Sequence, residues 1–101
     1  HEQALNWYRK SAKQGNSDAQ SSLGFMYDHG IGVNEDYSQA LDWYRKAAEQ
    51  GNSEAQFNLA GMYLQGHGVN EDKEQALKWL NKAAAQDHLL AKAMIEVFHN
   101  E

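Results

Sequence analysis

The chain has 101 residues, neither cysteine nor proline, and a net charge of −5 at pH 7. Such a length supports one small domain, and without cysteine there are no disulfides and no thiolate chemistry. No apolar run approaches the roughly 20 residues of a membrane span. The acidic balance, with Arg9, Lys10, Arg45 and Lys46 interleaved among acids, argues against a nucleic-acid partner. The chain opens on His1 and not on methionine, so it reads as a processed or excised piece of a longer protein.

Taken in order, the sequence predicts six helices over 2–14, 17–29, 37–50, 53–65, 73–86 and 88–98. In the third, Ala40, Leu41, Trp43, Tyr44, Ala47 and Ala48 fall at offsets 0, 1, 3, 4, 7 and 8. In the fourth, Ala55, Leu59, Ala60, Met62 and Tyr63 fall at 0, 4, 5, 7 and 8. Both are the apolar stripe of an amphipathic helix, and strand alternation fits neither. Large residues mix with alanine and glycine, which lets neighbouring helices approach and interdigitate. Loops GIGVNED and GHGVNED follow the second and fourth helices.

The segments repeat. Trp7, Trp43 and Trp79 are spaced by 36 residues, and QALNWYRKSAKQGNSDAQ aligns with QALDWYRKAAEQGNSEAQ and QALKWLNKAAAQDHLLAK. LGFMYDHGIGVNED aligns with LAGMYLQGHGVNED and breaks off as IEVFHNE. One helix–turn–helix unit per period accounts for the spacing. GNSDAQ and GNSEAQ then mark joints. Gly15 and Gly51 are expected to be left-handed just past a helix end. Ser17 and Ser53 are expected to cap the next helices, with Gln20 and Gln56 completing capping boxes. Asp36 and Asp72 should cap the helices after the loops, each with Gln39 or Gln75 three residues on.

The strings A-x-x-W-Y-x-K-A-A-x-x-G, A-Q-x-x-L-G-x-M-Y and G-x-G-V resemble the Sel-one-like repeat family, relatives of the tetratricopeptide repeats. The resemblance covers about 1–98 and implies an all-α fold: a right-handed α/α solenoid of antiparallel helix pairs. On the family's phase the single repeat domain 1–101 holds the second helix of a truncated repeat (2–14), full repeats at 17–50 and 53–86, and a last helix at 88–98. The family carries a proline after G-x-G-V, where Asn34 and Asn70 stand here, and the third joint is Asp87-His88 in place of Gly-Asn. The resemblance favours a periplasmic or secreted location slightly over a cytoplasmic one. It implies an adaptor or scaffold that recognises a protein or peptide and performs no chemistry. The alternatives are a structural spacer within a larger repeat protein or, remotely, a hydrolase or a sugar- or peptidoglycan-related binder.

The residues point the same way. The G-x-G pairs at 30–32 and 66–68 follow no strand and precede Glu35-Asp36 and Glu71-Asp72, which would repel a phosphate. No two of the five histidines fall at zinc-ligand spacing on one helical face, so no metal and no cofactor is implied. No S-x-x-K or G-x-S-x-G occurs, so no catalytic residue is assigned. Trp7, Tyr8, Trp43, Tyr44 and Trp79 recur in register and are read as packing between repeats.

Partner recognition should fall instead on positions that differ between repeats along the A-Q helices, which line the concave side of the resembled fold. These are Asp18, Ser21, Ser22, Phe25, Asp28 and His29, and Glu54, Phe57, Asn58, Leu64 and Gln65, with Phe25 and Phe57 as the expected anchors. In the last helix Ala91, Ile95 and Phe98 keep the core stripe. Leu90, Met94 and Val97 form a second apolar stripe at offsets 0, 4 and 7, expected to be covered by the parent chain or by self-association.

Overall fold

The computed structural model describes residues 2–99. The described residues form six helices and no strand: α1 (Glu2–Lys13), α2 (Ser17–His29), α3 (Tyr37–Glu49), α4 (Ser53–Gln65), α5 (Lys73–Ala84) and α6 (Leu89–His99). Each helix packs chiefly on its neighbours in sequence, and α2 also touches α4 directly. The result is an elongated all-α solenoid, 44 × 25 × 18 Å.

Each joint is built the same way. Gly51 is left-handed at φ +93°, and its N–H bonds Ala48 O (3.0 Å) while the Asn52 N–H bonds Ala47 O (3.1 Å). This paired closure of the last turn is a Schellman ending, and it favours glycine because a Cβ is strained at that φ. Gly15, also at φ +93°, closes α1 identically. The expected left-handed glycines are present.

The caps correct the sequence reading. Asn16 and Asn52, not Ser17 and Ser53, are the N-caps: their side chains accept from Ala19 N (3.0 Å) and Ala55 N (2.9 Å). The Schellman ending leaves the residue after the glycine with extended backbone (φ −72°, ψ 112°), which is the conformation of an N-cap, so the serines become the first helical residues. Gln20 and Gln56 do not reach back to a cap. Both are buried and donate to Ala12 O (3.0 Å) and Ala48 O (3.1 Å) of the preceding helix. Their own carbonyls accept from Gln50 (2.7 Å) and Gln86 (3.2 Å), one repeat further on. A glutamine ladder therefore ties successive repeats, and no buried side-chain N or O among the described residues lacks a partner.

The third joint keeps the geometry with different residues. Asp87 is left-handed at φ +65°, His88 N bonds Ala83 O (3.2 Å), and the His88 ring caps α6 by accepting from Ala91 N at Nδ1 (3.2 Å). Lys92 stands in register with Gln20 and Gln56 but bonds Asp87 (2.8 Å), which holds that carboxyl below its ordinary pKa. Asp36 and Asp72 cap α3 and α5 as expected, accepting from Gln39 N and Gln75 N (both 3.1 Å).

The core runs along the solenoid through Leu5, Leu23, Tyr44, Leu59, Met62 and Leu80, with alanines filling the close approaches. Of the recurrent aromatics, Tyr44 and Trp79 are buried, while Tyr8 and Trp43 are half-buried against the core. Trp7 does not pack between repeats. It is 60% exposed, since α1 packs on α2 alone while α3 and α5 each have a helix on both sides.

One pair of positions shows how a repeat tolerates a different core residue. Gly24 sits where a Cβ would come within 2.5 and 2.7 Å of Cδ1 and Cε1 of Tyr44, so the missing side chain is what admits the ring. The Tyr44 hydroxyl donates to Asp28 (3.2 Å). In the next repeat Ala60, Leu80 and Leu64 occupy the places of Gly24, Tyr44 and Asp28: a smaller apolar residue faces a larger floor, and the acid gives way to leucine.

Candidate functional site: a groove across alternate helices

The helices that begin at the Asn caps, α2 and α4, lie side by side, and a groove of about 450 Å³ opens beside them. Its walls come from Tyr8 of α1, Ser21, Ser22, Phe25 and Met26 of α2, Ile31 of the following loop, and Glu54 and Asn58 of α4, with Ala4 at one end. Phe25 is 45% exposed, and its ring rests on that of His29 (centroids 4.2 Å apart), so it is a preorganised apolar surface. An open groove with an aromatic wall and few polar groups suits a peptide side chain.

Five of the expected partner positions meet there: Ser21, Ser22, Phe25, Glu54 and Asn58. Asp18 lies exposed on the same side of α2, its carboxylate accepting from Asn52 Nδ2 (2.9 Å). The remaining expected positions stand elsewhere. Asp28 accepts from Tyr44, and with the burial of that phenol it pushes the Tyr44 pKa far above the ordinary value, burial being the larger cause. His29 stands exposed beside Asp28 (Nε2 to Oδ2 3.7 Å). Leu64 packs on the core and Gln65 ends α4 exposed.

Phe57 lies outside this groove. It is half-buried, stacked beneath His88 (4.8 Å, 20° between planes), and packs on the core. The His88 ring is nearly buried: Nδ1 accepts from the backbone of α6, so the proton sits on Nε2, which donates to Glu54 (2.6 Å). The Asn52–Asp18 and His88–Glu54 contacts are equivalent, each cap bonding the acid one repeat back.

Tyr8, Met26 and Ile31 are groove residues that the sequence reading did not select. Ile31 carried a signal, since it is the large apolar residue in a loop whose counterpart is His67. On α6, Leu90 and Val97 are 61% and 54% exposed, and Met94 is half-buried against the core. No group of three or more His, Asp or Glu among the described residues is placed to hold a metal ion. No described helix is long and apolar enough to cross a membrane.

Residues 1–16, 17–52 and 53–88 each match the Sel1 repeat. Among solved structures, a Sel1 repeat protein from Oxalobacter formigenes is 37% identical with a TM-score of 0.90, over 93% of this chain and 27% of that one. The protective antigen c5321 of uropathogenic Escherichia coli, which displays an SLR fold, is 46% identical with a TM-score of 0.80, over 81% of this chain and 18% of that one. Helicobacter pylori cysteine-rich protein B shares the fold at 23% identity and a TM-score of 0.84, over 89% of this chain and 68% of that one. The chain thus spans just over a quarter of the first protein and under a fifth of the second. No functionally curated protein matches it. With three matching repeats and a shared solenoid, the chain belongs to the Sel1 repeat family, whose repeats generally serve as protein-interaction modules.

Proposed function

We propose that this chain is an adaptor module that recognises a protein or peptide through the face formed by α2 and α4. The observation that carries this reading is the groove at Phe25. Residues in register across the repeats are spent chiefly on caps, ladder and core. Most of the groove wall, Ser21, Ser22, Phe25, Ile31 and Asn58, differs between repeats, with Ala4, Tyr8 and Met26 as the recurrent exceptions. Ser22 and Phe25 of α2 occupy register positions that hold Asn58 and Gly61 in α4, so the scaffold is periodic while the surface it presents is not. This division suits a module whose fold is generic and whose specificity is local. The activity expected of such a surface is binding without turnover.

Site-specific photocrosslinking in cells that express the protein tests it. A photoreactive phenylalanine analogue at position 25 or 58 should yield a discrete adduct with another protein. The same analogue at exposed Asp42 of α3 should not. Equal labelling from all three positions, or adducts from position 42 alone, would refute the proposal.

A further inference from the structure

The groove and the exposed stripe of α6 belong to one row. The 36-residue period places Asp18, Ser22 and Phe25 of α2 in register with Glu54, Asn58 and Gly61 of α4, and with Leu90, Met94 and Val97 of α6. Within each helix these residues lie at offsets 0, 4 and 7, which puts them on one side. Large apolar side chains are exposed at both ends of the row, Phe25 at one and Leu90 with Val97 at the other. Between them Gly61 carries no side chain and leaves an open gap in the row: a Cβ built there would meet no atom within 4 Å.

Charge is segregated along the same division. Eight of the nine lysines and arginines lie on α1, α3 and α5. The row-forming helices α2, α4 and α6 carry Asp18, Asp28, Glu54 and Glu96 against Lys92 alone, and Lys92 is bonded to Asp87. The exposed acids on the row itself are Asp18 and Glu54. Their partners, the Asn52 amide and the His88 ring, leave carboxylate oxygens available to a further donor.

We propose that this row takes an extended peptide in which lysine or arginine is interspersed with apolar side chains, a proposal that rests on the binding function assigned above. One apolar side chain sits against Phe25, one occupies the gap over Gly61, and one lies against Leu90 and Val97, while cations pair with Asp18 and Glu54. An acidic peptide would be repelled. A wholly apolar one would desolvate the two carboxylates without a counter-charge, which is costly. α2 and α4 touch directly, at the roughly 10 Å of packed helices, and an extended chain rises about 3.3 Å per residue. The contacts at Phe25 and Gly61 then fall about three residues apart, and a segment of roughly nine residues leaves length to reach α6.

A displayed library of random nine-residue peptides, selected on the full chain, tests this. Selection should enrich peptides with lysine or arginine between apolar residues. Gly61→Leu, whose Cβ would meet no atom of the fold within 4 Å, should weaken the selected peptide by tenfold or more with no loss of melting temperature. Asp18→Asn with Glu54→Gln keeps acceptors for Asn52 and His88 and should weaken it by roughly three- to tenfold, in keeping with two exposed ion pairs. Enriched peptides that lack cations yet remain sensitive to Gly61→Leu would overturn the ligand class while leaving peptide recognition by this face intact. No enrichment, or binding indifferent to Gly61→Leu and Phe25→Ala, would overturn both. A dimer that Leu90→Glu with Val97→Glu dissolves, and that no selected peptide displaces, would assign the row to a second copy and overturn the proposal.

Discussion

Replacing Gly24 with alanine sets two effects of opposite sign against each other. In an open helix the change should stabilise, since alanine is favoured over glycine by about 1 kcal/mol. Here the added Cβ would stand 2.5–2.7 Å from the Tyr44 ring, which is fully buried and held by its bond to Asp28. The ring cannot swing into solvent, so it must be displaced within a packed core, at a typical cost of about 1–3 kcal/mol. Loss of the hydroxyl bond to Asp28 adds roughly 1 kcal/mol. The net expectation is a destabilisation of about 1–3 kcal/mol once the propensity gain is subtracted. Tyr44→Leu alone should also destabilise, by leaving the space over Gly24 empty, at about 2 kcal/mol or more. The double variant reproduces the Ala60–Leu80 pair of the next repeat and should recover much of both losses, giving a coupling of about 1 kcal/mol or more. Urea unfolding followed by far-ultraviolet circular dichroism for the four proteins measures the cycle. A neutral or stabilising Gly24→Ala, or additive effects in the double variant, would refute the packing argument.

Other consequences follow from the joints and from the buried phenol. Asn52→Ala removes a cap and the link to Asp18 and should cost about 1 kcal/mol, whereas Ser53→Ala should be near neutral; the reverse order in thermal melts would restore the serine as the cap. Gly51→Val should destabilise by about 1 kcal/mol or more despite the open space around its Cβ, because φ of +93° is poorly tolerated by a β-branched residue. Burial and Asp28 raise the Tyr44 pKa, so its contribution to stability should be intact below the ordinary phenol pKa of about 10 and fall as pH rises above it. Absorbance at 295 nm should show Tyr44 ionising only with unfolding, and Tyr44→Phe should remove that component; free titration of all five tyrosines in the folded chain would contradict it.

The period, the six helices and the left-handed glycines were legible because each rests on local chemistry repeated 36 residues apart. The caps were not, because GNS offers two adjacent cap residues and either fits a helix start by sequence. The choice falls to the Schellman ending, which fixes the backbone of Asn16 and Asn52 before the serines are reached. Gln20 and Gln56 were misread for a related reason: S-x-x-Q matches a capping box, but their side chains point between helices, where only a neighbouring repeat supplies partners. Phe25 and Phe57 look alike on the page yet are not in register. Phe25 corresponds to Gly61 and Phe57 to Ser21, so one ring lines the groove and the other lies under His88. Trp7 and Trp79 are equivalent by sequence and opposite in exposure, because burial depends on how many helices flank each one.

The central claim, that the face of α2, α4 and α6 is where this chain meets its partner, is tested most directly by titrating the ¹⁵N-labelled chain with the strongest selected peptide. Amide shifts at Ser22, Phe25, Asn58, Gly61, Met94 and Val97, with little change at Asp42, Lys46, Lys78 and Lys82 of α3 and α5, are the predicted result. Shifts concentrated on α3 and α5, with the six row positions unmoved at saturation, would contradict it.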